Sequence, residues 1–399
     1  MTRAAVWVMA VLLVFGLAFS GVAPAKEEGK SSDWAEKLVG ASDADERIDA
    51  GVKLGWKDPD ALALALDQVV KAKAEGDAQI IAAVAVKTRV VSTRYLLAWA
   101  LSKLEGAAVA LRERIDNDHP WETMRAMEIL GILKDRDSKD AMLQQLRNDN
   151  MLVAVQAAKS LGRMGDKKLA SEMAEACLTL DDKQVRIHVA WAVQDLLKSQ
   201  KGAMGAFAKH QRKKGTAGFR AKEAMSILED EKSPPVAYKL KLDSIRKMFA
   251  PKRGRKSPPV NGPSENKDRF VRVLAQMKKD TPDYWHLVSM SLREVTISGE
   301  QQLLYFDTKK LNFRFTDLGG WGERSESEMD ELYAYYLIRY AAIIFLGGHM
   351  GEAQEGQRGW EKGVLEAYWY AMEYTKIAVS EDPTEFFLSV INKRPPPWG

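Results

Sequence analysis

The sequence predicts a mainly α-helical protein, in which an α-solenoid of stacked helix pairs precedes a small, mostly helical, aromatic-rich domain with a β-hairpin. Three observations predict this architecture. Residues 43–230 repeat one apolar pattern, a run rich in proline and basic residues follows, and 21 of the 34 aromatic residues lie in residues 268–399. The chain has the composition of a folded protein, because 46% of its 399 residues are hydrophobic and 29% are charged.

The first 25 residues have the order of a secretory signal peptide. Arg3 precedes the apolar run Ala4–Val22, and Ala23-Pro24-Ala25 places small residues before the polar Lys26. We expect cleavage after Ala25 and export to the periplasm or the medium. An uncleaved N-terminal anchor is the alternative, since the run nearly reaches the ~20 residues of a spanning helix. No transmembrane helix is expected after cleavage, and residues 26–42 are expected to lead into the repeats.

Residues 43–231 form the predicted solenoid. Each unit has a helix with small residues at its seam, a Leu-Gly step, and a second apolar helix. The step occurs at Leu54-Gly55, Leu130-Gly131 and Leu161-Gly162. Because a single helix pair cannot cover its own apolar face, the pairs are expected to stack. We expect the glycine to end the first helix and a following aspartate to cap the second.

The spacing of the units is nearly regular. The anchors Leu101, Leu130, Leu161 and Val193 are 29, 31 and 32 residues apart. The first interval, from Leu54 to Leu101, is 47 residues. The first unit is therefore expected to contain a longer second helix or an insertion near residues 74–88.

The pattern Ala-x-x-Leu-Gly-x-x-x-Asp, followed by an apolar helix, resembles the short HEAT-like repeats named after phycobilisome lyases. The resemblance covers about residues 43–230, and it is carried best by the three Leu-Gly steps. It implies antiparallel helix pairs stacked into an α-solenoid. Such a fold presents surfaces to partner proteins and by itself says little about activity. A bilin lyase activity is not expected for an exported chain.

A linker at residues 232–263 separates the two parts. Ser233-Pro234-Pro235 and residues 250–259 resist helix formation, with a short helix expected near residues 240–249. Residues 232–267 have a net charge of +8, against −5 for residues 268–399. The linker could be a solvated tether, lie on its own acidic domain, or contact an anionic surface of the cell envelope. Its candidate binding residues are Lys252, Arg253, Arg255 and Lys256.

The last part, residues 264–399, is expected to be a separate domain. Its predicted elements are a helix from Ser264, a helix from Pro282, a hairpin within residues 303–315, and long helices over residues 328–346 and 360–379. Ser325 and Glu328 form a capping box before the first long helix, which we expect to end at Gly347-Gly348. No family is recognised over this part.

Few residues suggest a catalytic, metal-binding or ligand-binding site. His349, Glu352 and Glu355, which we expect in a loop, are weak candidates for a metal site, since His and carboxylates are common metal ligands. Trp321 and Trp360 are expected to be exposed and able to bind a ligand. Neither a catalytic set nor a cofactor site is predicted, and the single cysteine, Cys177, is expected to be buried. The small net charge of +4 argues against nucleic-acid binding.

Two functions remain open at this point. The first is an exported, non-enzymatic interaction or scaffold protein that binds a protein partner through the solenoid surface. The alternative is an enzyme or glycan-binding protein whose site lies in residues 264–399, with the solenoid as a targeting arm.

Overall fold

The computed structural model describes residues 31–115, 118–230, 238–251, 253–298, 303–305, 308–314 and 325–350, together with residues 366, 367 and 370. Helices dominate these residues and pack as a solenoid-like array, which confirms the predicted fold class. Among the described helices, none combines the length and the apolar character that crossing a bilayer requires.

All secondary-structure elements described in the first part, residues 31–115 and 118–230, are helices. Its helices are α1 (Ser31–Gly40), α2 (Ala44–Lys57), α3 (Pro59–Ala72), α4 (Asp77–Lys87), α5 (Val91–Leu101), α6 (Ala107–Arg112), α7 (Pro120–Leu133), α8 (Lys139–Gln145), α9 (Met151–Met164), α10 (Leu169–Cys177), α11 (Lys183–Leu197), α12 (Gln200–Ala208) and α13 (Thr216–Asp230). A 3₁₀ turn, Arg136–Ser138, precedes α8.

The second part combines helices with a small sheet. Its helices are α14 (Leu242–Met248), α15 (Ser264–Asp280), α16 (Pro282–Ser291) and α17 (Glu326–Met350); its strands are β1 (Val260–Asn261), β2 (Glu294–Ser298), β3 (Leu303–Tyr305) and β4 (Lys310–Arg314). The strand order is β1-β2-β4-β3. Strands β3 and β4 pair antiparallel as the predicted hairpin, while β1, β2 and β4 pair in parallel, which the sequence did not predict.

The solenoid is built by a row of helices, α2, α4, α7, α9 and α11, each packed on the next. Small residues lie in this row as predicted, since Ala50, Ala126 and Ala158 are buried. The long first interval arises because Leu101, expected as the anchor of the second unit, lies in α5 outside this row. Helix α4, in the region where an insertion was expected, is itself the second helix of the row. Helix α5 follows it, and all of its residues are buried.

The prediction that the Leu-Gly glycines end the first helices is wrong. Gly131 and Gly162 lie inside α7 and α9, and each faces the next helix of the row. A Cβ on Gly131 would lie 3.0 Å from the Ser160 Cα, and one on Gly162 would lie 2.9 Å from the Ala192 Cβ. These glycines therefore permit close helix packing, while α7 ends one turn later at Lys134, which has a φ of 57°.

The aspartate after each step behaves differently from unit to unit. Asp58 caps α3 as predicted, since its carboxylate accepts a hydrogen bond from the Ala61 N–H at 2.9 Å. Asp135 does not cap the following turn with its side chain. Its carboxylate accepts instead from Arg112 Nη1, at 3.3 Å.

Helix α17 begins as predicted and ends later than predicted. The Ser325 N–H donates to Glu328 Oε2 at 2.8 Å, and the Glu328 N–H donates to Ser325 Oγ at 3.3 Å, which confirms the capping box. The helix continues through Gly347-Gly348 to Met350, because no chain-ending geometry occurs at those glycines. His349 therefore lies on a helix and not in a loop, which corrects the expectation for that residue.

Candidate functional site

Most of the site residues proposed from sequence lie outside the described residues. These are Lys252, Trp321, Glu352, Glu355 and Trp360. For His349 the structure describes the position in α17 and not the side chain. Within the described part of the chain, no group of three or more His, Cys, Asp or Glu side chains could hold a metal ion.

The single thiol is buried, as predicted. Cys177 lies at the end of α10, and its Sγ is 3.8 Å from the Arg186 carbonyl oxygen. Burial raises the pKa of the Cys177 thiol to about 12. Because the thiolate is the reactive form, this cysteine is unreactive at neutral pH.

The basic linker residues divide into exposed and paired side chains. Arg253 and Lys256 are exposed. Arg255 is bound to Asp60 of α3 through two hydrogen bonds, from Nη2 to Oδ1 at 2.9 Å and from Nε to Oδ2 at 3.1 Å. Such a two-point pair fixes the position of the linker more firmly than a single contact.

Asp60 is also the centre of a cluster that joins three segments. His286 of α16 donates from Nε2 to Asp60 Oδ1 at 2.9 Å, and the Ala250 N–H donates to the same oxygen at 2.7 Å. The Phe249 ring stacks on the His286 ring, with 4.8 Å between their centroids. We call Asp60, Arg255 and His286 the clasp, because they bind α3, the linker and α16 to each other.

The ionisation of the clasp follows from its burial. Burial lowers the pKa of the His286 imidazole, against the opposing effect of its hydrogen bond to Asp60. Burial alone would raise the pKa of Asp60, but hydrogen bonds from His286 and Arg255 hold it well below its usual range. At neutral pH the clasp therefore contains a carboxylate, a guanidinium and a neutral imidazole.

Linker residues 238–251 and 253–256, which we call the strap, run back along the solenoid. The Arg163 guanidinium of α9 lies 5.1 Å from the centre of the Tyr238 ring. Further along the strap, Asp243 accepts from Trp99 Nε1 of α5 at 3.0 Å. Arg246 then pairs with Asp67 of α3, and Arg255 with Asp60. The strap therefore passes helices α9, α5 and α3 in reverse order.

The C-terminal part binds the same face through buried charges. The Arg94 guanidinium of α5 donates to Glu128 Oε2 at 2.9 Å and to Glu366 Oε1 at 2.7 Å. All three side chains are buried. Burial by itself lowers the pKa of Arg94, but the two carboxylates raise it above its usual value, so the guanidinium stays charged.

Neighbouring contacts also join the repeats to the C-terminal part. Arg89 donates from Nε to Asp283 Oδ2 at 2.7 Å, and its guanidinium lies 4.0 Å from the centre of the Trp56 ring. The Tyr95 ring of α5 meets the Phe345 ring of α17 edge to face, with 5.5 Å between centroids. The two parts of the protein thus share one core at α5.

The opposite side of the repeats is open. Exposed polar side chains project from α8 and α10; they include Asp140, Gln144, Glu172 and Glu175. A shallow cavity of about 340 Å³ lies beside them, where α7 begins and α8 ends. Its lining consists of Ile115, Asp118, Pro120, Thr123, Gln145, Asn148 and Val153. These exposed side chains make α8 and α10 an accessible surface of the described repeats.

Sequence reasoning missed the clasp and the buried ion pairs. One signal for the pairs was present, because Arg94 is the one charged residue of the apolar helix α5. A charge in such a position requires a buried partner. Asp60 carried no such signal, since acidic residues are common in the first turn of any helix.

Comparison with known proteins identifies the repeats. A family model described as HEAT repeats matches residues 108–194, which include α7, α9 and most of α11. The predicted HEAT-like repeats are thereby confirmed over this stretch. A search of the curated proteins gave no match. Among solved structures, the chain is similar to an engineered protein from the Northeast Structural Genomics Consortium, with 14% identity and a TM-score of 0.33, over 50% of this chain and 96% of that one.

Proposed function

We propose that this protein is an exported, non-enzymatic scaffold that binds a protein partner through its HEAT-like repeats. HEAT repeats form a helical array that often mediates protein interaction, and residues 108–194 match them. Stacked repeats place many side chains along an extended surface, which suits the recognition of another protein.

The observation that carries the proposal is the occupation of one face of the solenoid by the strap and the C-terminal part. Arg94, Trp99 and Arg163 on that face contact the chain itself. We infer that the partner binds the other side, formed by α8 and α10, whose exposed side chains are polar. Such a polar surface suits a partner that binds and dissociates as a folded protein.

The binding site is tested by site-specific photo-crosslinking in the organism that makes the protein. A photoreactive residue replaces the exposed Gln144 of α8 or Glu175 of α10, and the matched control replaces the exposed Ala275 of α15. We expect the two repeat positions to crosslink the same discrete protein and the control position not to do so. Crosslinks of the same proteins from all three positions, or from none, would contradict the proposal.

Export is proposed from the apolar N-terminal segment, and it is tested separately. We expect the protein in the periplasmic or extracellular fraction, with Lys26 as the first residue found by N-terminal sequencing. A chain that begins at the initiator methionine and stays in the cytosol would contradict export. That result would leave the proposed protein-binding surface untouched.

The alternative enzyme or glycan-binding site in residues 264–399 gains no support from a described contact. Of the four residues whose convergence would support it, Trp321, His349, Glu352 and Glu355, only the backbone position of His349 is described.

A further inference from the structure

The end of the solenoid carries an unbroken run of positive charge. Between Asp195 and Glu223 the sequence has eight basic residues and no acidic residue. They are Lys198, Lys201, Lys209, Arg212, Lys213, Lys214, Arg220 and Lys222. This run covers the end of α11, all of α12 and the first turns of α13, so the charge is concentrated at the last helix pair.

Most of this charge is not neutralised within the protein. Seven of the eight cations are exposed and form no ion pair in the described part of the chain; they are Lys198, Lys201, Lys209, Arg212, Lys213, Lys214 and Lys222. Arg220 differs from them, because its Nη2 lies 2.7 Å from Asp181 Oδ1. An unpaired group of this size attracts anions over about one Debye length, ~10 Å in 0.1 M salt.

The loop that carries three of these cations is held against α13. The Phe219 N–H donates to the Gly215 carbonyl oxygen at 3.3 Å. The Lys213 carbonyl oxygen approaches Gly218 so closely that a Cβ on Gly218 would lie 2.0 Å from it. The backbone that carries the charged side chains at residues 212–214 therefore lies against the first turn of α13.

An exposed aromatic ring lies in the middle of this charge. Phe219 is 67% exposed, more than any other large hydrophobic side chain reported as exposed in the described part of the chain. Phe219 and Lys222 lie three residues apart on α13 and so share one helix face. An exposed phenyl ring costs free energy in water unless it meets an apolar partner.

We propose that this surface, which we call the basic end (Lys209, Arg212, Lys213, Lys214, Phe219 and Lys222), binds the surface of an anionic lipid bilayer. The cations attract the anionic headgroups, and the Phe219 ring enters the boundary between headgroups and acyl chains. A purely anionic polymer would satisfy the charges and leave the ring in water. None of these six residues lies on α8 or α10, although α12 packs on α10, so the basic end can attach the scaffold to a membrane while those helices hold a partner.

Sedimentation with lipid vesicles tests this proposal. The protein used is the whole chain that follows the proposed cleavage site, beginning at Lys26. The vesicles contain phosphatidylcholine and phosphatidylglycerol in a three-to-one ratio, or phosphatidylcholine alone. The parent is compared with the triple variant Arg212→Gln, Lys213→Gln, Lys214→Gln and with Phe219→Ser. The matched control, Lys87→Gln, Lys167→Gln, Lys168→Gln, removes the same charge from other exposed sites of the solenoid.

We expect the parent and the matched control to bind the anionic vesicles and to dissociate when salt is raised. Each lost charge should lower the partition coefficient roughly fivefold, so the triple variant should bind about 100-fold more weakly. Phe219→Ser should also weaken binding, and vesicles of phosphatidylcholine alone should bind little parent protein. All variants alter exposed side chains, and an unchanged far-ultraviolet circular dichroism spectrum shows that they fold.

Any one of four results would overturn the proposal. The first is equal binding of the parent and the triple variant, and the second is binding that salt does not weaken. The third is an effect of the triple variant without any effect of Phe219→Ser, which would indicate a site for an acidic polymer or protein. Binding of the parent to heparin but not to anionic vesicles would lead to the same conclusion.

Discussion

Close helix packing in the repeats depends on single glycines. At Gly162 the neighbouring helix α11 comes so near that a Cβ would lie 2.9 Å from the Ala192 Cβ and 3.0 Å from its Cα. Neither atom belongs to a flexible side chain that could move away, so a methyl group there would force the helices apart. Gly205 of α12 is the opposite case, since a Cβ there would meet no atom within 4 Å.

These two glycines give the first prediction. Gly162→Ala should lower the free energy of unfolding by about 1–3 kcal/mol, because the added methyl overpacks the contact between α9 and α11. Gly205→Ala should be neutral or stabilise the protein by up to about 1 kcal/mol, because alanine favours a helix more than glycine does. Urea unfolding followed by circular dichroism measures both. Equal stability of the two variants would mean that α9 and α11 are not in close contact.

Helix α3 binds the strap through two aspartates that differ in how exposed they are to solvent. Asp60 at its start is bound by Arg255 and His286 in the clasp, and its side chain is 24% exposed. Asp67, two turns later, pairs with Arg246 and is 45% exposed. Exposed ion pairs contribute little to stability, whereas a carboxylate that satisfies buried donors contributes more. The clasp should therefore hold the strap in place.

The second prediction compares these two aspartates. Asp60→Asn should lower the free energy of unfolding by about 1–3 kcal/mol, since it leaves a buried guanidinium without its carboxylate. Asp67→Asn should cost less than about 1 kcal/mol. Urea unfolding and limited proteolysis of the strap measure the difference. Equal effects of the two substitutions would count against a stabilising role for the clasp.

The stability that Asp60 contributes depends on pH, and its direction follows from the pKa of Asp60. The pKa of Asp60 is held below its unfolded value of 3.8, so the folded state stabilises the carboxylate. Its contribution is complete above that value and is lost as the pH falls through the lower, folded-state pKa. The Asp60 contribution to the stability gap between the parent and Asp60→Asn should thus narrow below about pH 4.

On the scale of the whole molecule, α5 belongs to both parts of the protein. Its Tyr95 ring packs on Phe345 of α17, and Arg94 connects Glu128 of the repeats with Glu366 near the C-terminus. Replacing Glu366 by glutamine would remove one buried charge-assisted hydrogen bond and leave the Arg94–Glu128 ion pair in place. These contacts bury side chains of both parts in one core. The two parts are therefore expected to unfold together.

The third prediction tests this coupling. Glu366→Gln should lower the free energy of unfolding by about 1–3 kcal/mol while preserving a single transition seen at the same urea concentration by circular dichroism and tryptophan fluorescence. Glu326→Gln is the matched control, because Glu326 pairs with Arg269 on the surface and is 77% exposed. It should cost less than about 1 kcal/mol. Separate transitions for the two probes in the parent protein would show that the parts unfold independently.

Local patterns in the sequence were enough to predict the helix pairs, the α3 and α17 caps, the hairpin and the buried thiol. Each of these depends on residues close along the chain: an apolar period, a capping side chain or an alternating strand. The role of Gly162, the course of the strap and the helices that the C-terminal part contacts could not be predicted in this way, because they depend on how the helices pack. Arg255 and Asp60 are 195 residues apart, and Arg94 and Glu366 are 272 apart. No local pattern records such a pairing, because it exists only once the helices have stacked and brought those side chains together.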